Sequence, residues 1–292
     1  MPVAGQKLDF KFPWHDCMQP IAADFLAVER AAVECAYAGC KTIWIVCHDD
    51  MQPLIRHRLG EFLGDPQSLR RASFGKYPEI HKKYIPIFYV PIHPKDRKKR
   101  DCFSWSVLYG ATVATDISAL MSKWTKPDKF YVAFPYGVYP VRALIDCMKS
   151  ISKERNFFFS YQGKTVADNE YLGFTFTPED LEVFIKNLRI EGTGRYVPYS
   201  DPSTFRDGVY PTEMLSPEER WSARFFDLKD VFKYDKIEAE NKQELEWYCN
   251  ISSWDGFRSY LGSEKALLIK RPSKHVMSYH ELNPIGGEFE QD

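Results

Sequence analysis

Apolar residues in this chain fall into short β-branched and aromatic runs, separated by stretches that repeat every three to four positions. The first run, Met1-Pro2-Val3-Ala4, breaks at Gly5. Ile21, Phe25, Val28, Ala32, Cys35 and Ala36 then recur at mixed three and four spacing, which predicts a helix over 21–38, with Gly39 placed to cap it. Thr42-Ile43-Trp44-Ile45-Val46-Cys47 is a second buried strand. After the acidic turn His48-Asp49-Asp50, a helix is predicted over 52–63, ending near Gly64 and Pro66. Ile85 to Val90 is too short for a helix and rich in β-branched and aromatic residues, so it reads as a third strand.

The same alternation continues. The basic stretch Lys95 to Arg100 reads as a solvated loop, 105–123 as a helix, 129–134 as a strand ending in the turn Pro135-Tyr136-Gly137, and 141–151 as a helix. Strands are expected over 156–161 and 171–176, the second leading into a helix capped by Thr177, with Glu179 and Asp180 in its first turn. Residues 192–217, rich in Gly, Pro, Ser and Tyr and without a period, read as a long irregular excursion of the kind that covers a site or an interface. A strand over 244–251 and a helix over 254–261, begun by Ser253 and Asp255, complete one domain over 1–262, and 263–292 reads as an extended tail. Strand, helix, strand in succession predicts an α/β fold with a mostly parallel, mixed sheet, whose ligand chemistry sits at the strand ends.

Composition bounds this picture without choosing a function. The chain of 292 residues, 44% hydrophobic and 15% aromatic, has the makings of a sizeable core. A formal net charge of -1 gives no whole-molecule reason to expect nucleic acid or an anionic membrane as partner. The seven cysteines form no CxxC pair and no zinc-spaced cluster, which points to a reducing compartment. No apolar run approaches the roughly 18 residues of a membrane helix, so the expectation is a cytoplasmic protein, free or packaged into a larger particle with a protein partner.

The ordered pieces resemble a family. Met1-Pro2-Val3-Ala4-Gly5, then Pro20, then Tyr37-Ala38-Gly39 before Thr42-Ile43-Trp44-Ile45-Val46, is similar to the start of the sugar-phosphate nucleotidylyltransferases. Tyr109-Gly110-Ala111 resembles that family's Gly-Thr-Ala element, and Phe130 to Pro135 its central strand. Tyr171 to Glu179 resembles its Gly-x-Tyr-x-Phe-x-Pro-Glu turn, and Trp247 to Leu261 its closing strand and helix. The resemblance spans 1–261 and implies a Rossmann-like GT-A fold that joins a nucleoside triphosphate to a sugar 1-phosphate and releases pyrophosphate. It further implies a nucleotide or nucleotide sugar as ligand, and magnesium held by carboxylates. Ala4, Gly5, Gln6, Gly110, Ala111, Tyr136 and Gly137 are the nucleotide-binding candidates on that basis.

Departures from the pattern concern charge. The phosphate loop reads Gly5-Gln6-Lys7-Leu8-Asp9, with one glycine and no arginine; Gln19 stands where the family has a lysine before Pro20. The central strand ends in Pro135-Tyr136-Gly137 rather than an aspartate, and the closing segment carries Asn250. Lys7, Lys11 and Asp9 are the candidates to substitute, either as phosphate-facing catalytic groups or as solvated surface residues. His48, Asp49 and Asp50 are either a catalytic or metal trio, with Asp49 and Asp50 as the metal ligands, or caps of the helix that follows. Gly5 is either a nucleotide contact or a plain turn, and the 95–100 run either a solvated loop or one that reaches a phosphate or an acidic partner. Trp221, Trp247 and Trp254 read as core. Three functions stay open: a nucleotidyltransferase-like protein with a divergent site, a catalytically silent binding or structural subunit on the same fold, and a GT-A-type glycosyltransferase.

Overall fold

The computed structural model describes residues 1–5, 14–69, 83–121, 126–153, 155–191, 196–198, 212–214, 227–232, 241–272 and 274–277. In chain order its elements are β1 (Pro20–Ala22), β2 (Phe25–Leu26), α1 (Ala27–Tyr37), β3 (Ile43–Cys47), α2 (Gln52–Leu59), β4 (Phe62–Gly64), β5 (Tyr84–Pro91), α3 (Pro94–Lys99), α4 (Phe103–Met121), β6 (Phe130–Val132) and β7 (Gly137–Val138). There follow α5 (Arg142–Lys153), β8 (Phe157–Ser160), β9 (Phe174–Phe176), α6 (Pro178–Glu191), β10 (Tyr196–Pro198), β11 (Thr212–Met214), α7 (Leu228–Val231), β12 (Asn241–Glu244), β13 (Cys249–Asn250), α8 (Trp254–Leu261), α9 (Glu264–Leu268) and α10 (Lys274–Met277).

The apolar runs of the first ninety residues form the parallel centre. Val46 N donates to Met1 O at 3.0 Å and Val3 N to Val46 O at 2.9 Å, so the opening residues run parallel to β3. On its other side β3 pairs in parallel with β5, Ile43 opposite Ile87 through Cys47 opposite Pro91. α4 lies on this sheet, with Gly110 so close to it that a Cβ there would stand 2.7 Å from Val46 Cγ2. α1 is buried from Ala27 to Ala36, charged residues included. A helix sheathed on all sides can keep charges only if they are paired. Arg30 and Glu34 meet at 2.9 Å, Tyr131 Oη donates to Glu34 Oε1 at 2.6 Å, and Tyr139 Oη donates to the same oxygen. Arg30 also lies 4.2 Å over the Tyr139 ring and donates to Phe134 O at 3.4 Å, tying α1 to the segment after β6.

The second half is built on phenylalanine. A mixed sheet in the order β12-β8-β9-β6 pairs β12 with β8 in parallel and β8–β9 and β9–β6 antiparallel. Phe130 stacks on Phe176 at 5.1 Å, Phe158 meets Phe174 edge-on at 5.6 Å, and Phe184 of α6 closes on Phe176 at 5.5 Å. Each such ring buries a large apolar area.

Several elements differ from the sequence reading, each for a local reason. The helix expected from Ile21 begins at Ala27, because Asp24 takes a left-handed turn at φ 51° and folds β1 back on β2; Ile21 and Phe25 satisfy either period. α2 stops at Leu59 because Gly60 turns to φ 70°, and Leu63 is buried from β4, antiparallel to β5. The expected loop over 95–100 is α3, opened by Pro94 with His93 as its cap: His93 Nδ1 accepts from Lys95 N at 3.2 Å. The expected strand over 244–251 is two short ones, β12 ending at Glu244 and β13 pairing with β7. Within the 192–217 excursion β10 and β11 form an antiparallel pair, and the tail over 263–292 opens with α9 and α10; the rest of the excursion, residue 273 and residues 278–292 lie outside the described residues. Trp247 is buried, Trp254 is 51% exposed, and Trp221 lies outside the described residues.

Candidate functional site

The carboxyl ends of the parallel strands open onto three segments: Ala4-Gly5 after the first, His48-Asp49-Asp50 after β3, and His93 to Cys102 after β5. Parallel sheets gather ligand chemistry at this edge. The first turn of α4 stands at its middle. Ser106 Oγ donates to Ala4 O at 2.8 Å, and Gly5, at φ 87°, has its Cβ direction filled by the Cys102 backbone at 2.4 Å. Only glycine fits there, for conformational and steric reasons together. Phe103 then meets Phe134 at 5.5 Å, Tyr171 at 5.5 Å and Tyr136 at 6.1 Å. The Gly5 and Gly137 segments meet the start of α4, where Phe103, Phe134, Tyr136 and Tyr171 form a packed aromatic floor, while Gly110 lies farther along α4 against Val46.

Each sequence candidate can be placed against that floor. Ala4 and Tyr136 are each 1% exposed, and burial raises the Tyr136 phenol above its ordinary pKa. Gly110 and Ala111 lie inside α4, two turns beyond its start, rather than opening it. Gly137 is sealed by Tyr171, whose carbonyl oxygen would stand 1.9 Å from a Cβ. Gln6, Lys7, Asp9 and Lys11 lie outside the described residues. Gln19 is fully buried, and neither atom of its amide has a hydrogen-bond partner among the described residues. The thiols of Cys47 and Cys102, at the same edge, are each pushed up by burial to about 12 and stay protonated at neutral pH.

A polar rim surrounds the floor. His48 Nε2 and Asp101 Oδ1 lie 3.0 Å apart, joining the segment after β3 to the start of α4. Arg97 of α3 faces Asp49 at 3.5 Å and Asp50 at 3.9 Å. Both carboxylates are mostly exposed, so each pairing is worth at most about 1 kcal/mol. Arg97 Nε and Nη2 are buried and hydrogen-bond to nothing among the described residues, and so is Ser104 Oγ in the first turn of α4. The fork edge of a guanidinium is the edge that takes an oxyanion in two parallel hydrogen bonds. Arg97 belongs to the 95–100 run that the sequence leaves between a solvated and a phosphate-reaching loop, whereas Asp101 and Ser104 escape the sequence reading; the His93-Pro94 pair is the available signal for the start of α3.

Magnesium, the ion that the resemblance implies, is not fitted by these groups. Asp49 and Asp50 face Arg97, and Asp101 faces His48. At the two positions of the implied metal aspartates, Gly137 carries no donor, and Asn250 is committed: its Oδ1 accepts from Ser252 N at 3.0 Å and Ser252 Oγ at 2.6 Å, and its Nδ2 donates to Glu170 at 3.2 Å. Among the described residues no three His, Cys, Asp or Glu side chains gather to hold a metal.

No family model and no curated protein sequence matches the chain. Its structure is similar to that of a Bacillus anthracis protein assigned as a glucose-1-phosphate thymidylyltransferase, solved in complex with sucrose: 8% identity, 90% of each chain covered, TM-score 0.52. The chain shares the fold of the sugar-phosphate nucleotidylyltransferases. Two UDP-glucose pyrophosphorylase structures also align. One, from Acinetobacter baumannii, is 10% identical over 89% of this chain and 90% of that one, with a TM-score of 0.48. The other, complexed with UDP-glucose, is 12% identical over 84% and 88%, with a TM-score of 0.46. The fold conclusion rests on the first alignment. No helix among the described residues is long and apolar enough to cross a membrane.

Proposed function

We propose that this chain handles a nucleotide or nucleotide sugar at the rim of its parallel strands, without the metal-dependent nucleotidyl transfer of the family it resembles. The observation that carries this reading is the sealed end of the central strand. Where an aspartate would hold the ion, Tyr136 is buried and Gly137 abuts the Tyr171 carbonyl. Losing the metal removes both its Lewis acidity and its clamp on the departing pyrophosphate. Phosphate charge falls instead to Arg97, whose Nε and Nη2 make no hydrogen bond among the described residues and whose only acidic neighbours there are the mostly exposed Asp49 and Asp50, with Ser104 at the start of α4 as a neutral donor. Outside the described residues, Lys7 and Lys11 remain candidates for the same charge.

The experiment is calorimetric titration with nucleoside di- and triphosphates and nucleotide sugars, with and without magnesium, beside a pyrophosphate-release assay with sugar 1-phosphates. The reading expects binding that persists in chelator, weakens with added salt and is lost in Arg97→Ala, with no pyrophosphate released. Chelator-sensitive pyrophosphate release would overturn it in favour of an active transferase. A second reading, a structural subunit, is favoured by the packing that engages Ala4, Gly5, Gly110 and Gly137. Failure of every ligand to bind selects that reading.

A further inference from the structure

Cys35 and Cys40 stand at the two ends of the turn that closes α1. Cys40 N donates to Cys35 O at 3.1 Å, Gly39 N donates to Ala36 O at 3.2 Å, and Gly39 takes φ 88°. This is the helix-ending arrangement in which the side chains on either side of the left-handed residue are brought into contact. Here those side chains are both thiols. Cys35 is 3% exposed, whereas Cys40 is half-buried and reachable from solvent. The turn is uncrowded: a Cβ built on Gly39 would meet only Met148, at 3.7 Å.

We propose that Cys35 and Cys40 form a redox-active dithiol, which closes to an intramolecular disulfide when it meets a small-molecule disulfide such as oxidised glutathione. Exposure sets the order of the two steps. The Cys40 thiolate attacks one sulfur of glutathione disulfide; a bond forms to that sulfur, the S–S bond breaks, and one glutathione thiolate leaves and takes up a proton. Cys35 then attacks the Cys40 sulfur of the mixed disulfide, releasing its own proton and expelling the second glutathione. Two protein thiols are oxidised and one small disulfide is reduced to two thiols, so atoms and electrons balance. The neighbouring Cys40 thiol and burial hold the Cys35 thiol well above the ordinary range, which suits a second-step thiol that reacts only once its neighbour is linked. Cys17, Cys47 and Cys102 are buried, and their thiols are pushed up by burial, which makes them internal controls.

The test uses the full chain, incubated at graded ratios of oxidised to reduced glutathione, acid-quenched, alkylated and digested with trypsin. Cleavage after Arg30 and Lys41 releases both cysteines on one peptide, Ala31–Lys41. The expected result is loss of two hydrogens from that peptide, while the peptides carrying Cys17, Cys47 and Cys102 are alkylated as in the untreated protein. In Cys35→Ala the reaction should stop at a glutathione adduct on Cys40, and in Cys40→Ala residue 35 should stay unmodified. A parent peptide that remains reduced at ratios that oxidise the urea-unfolded chain overturns the proposal. So does a parent that accumulates the Cys40 adduct as Cys35→Ala does. The parent measurement decides the matter even where a variant fails to fold.

Discussion

Replacing Arg30 with Met puts the buried charge cluster of α1 to a quantitative test. The side chain is fully buried, 2.9 Å from Glu34, and 4.2 Å from the centre of the Tyr139 ring. Burial pulls its pKa down, but Glu34 and the two tyrosines more than offset this, and the guanidinium stays charged. Met fills similar space without the charge, so the variant leaves Glu34 buried with only the Tyr131 and Tyr139 hydroxyls as donors. Breaking a buried pair from one side costs about 3–5 kcal/mol. A desolvated cation over a ring contributes about 2 kcal/mol of stabilisation that is lost with it. We expect Arg30→Met to lose about 5–7 kcal/mol in urea unfolding at unchanged slope. Adding Glu34→Gln should recover about 2 kcal/mol, because Gln can still accept from the tyrosines. The pH dependence supplies a second readout. Burial raises the Glu34 pKa above the ordinary 4.5, with Arg30 the largest influence in the other direction. Its contribution is therefore complete below about the unfolded value and is lost as pH rises through the folded one, a loss that Arg30→Met should deepen and Glu34→Gln should abolish. A single variant costing under about 1 kcal/mol, or a double variant equal to the sum of its parts, would refute the reasoning.

Other outcomes follow from local geometry. Gly137→Ala should destabilise by about 3 kcal/mol or more, since its Cβ would collide with backbone at 1.9 Å, whereas Gly163→Ala, at φ 76° with open space around it, should cost only about 1–2 kcal/mol for the left-handed conformation; thermal unfolding separates the two. Asp24 hydrogen-bonds to Arg58 and faces Arg271, which lower its pKa below 3.8, so its stabilising contribution is present above that range and fades as pH falls through the folded value. Asp24→Asn, which keeps the left-handed turn, should lower the neutral plateau slightly toward the acid value and so flatten the acid limb of the stability profile, and an unchanged acid limb would count against the pairing.

Local sequence determined a good part of this molecule, because strand runs and helix periods are properties of a few neighbouring residues. The strands around Val46 and Ile87, the parallel direction of the opening residues and α5 all follow from that patterning, as does the order of motifs that resembles the nucleotidylyltransferases. Where one pattern satisfied two periods, only tertiary contact chose. Ile21 and Phe25 fit a helix or a hairpin until Asp24 turned left-handed, and Leu63 fits the end of a helix or an edge strand until β5 lay beside it. The site depended still more on the third dimension. Gly5 lies more than a hundred residues of chain from Gly110 and Gly137, and nothing local distinguishes a glycine that admits a phosphate from one that admits a backbone carbonyl or a valine methyl. In the fold each of the three meets protein: Cys102, Val46 and Tyr171 respectively. The rim of His48, Arg97 and Asp101 is likewise a product of strands from different parts of the chain ending side by side, since a charge acquires a partner only when the fold brings one within a few ångströms.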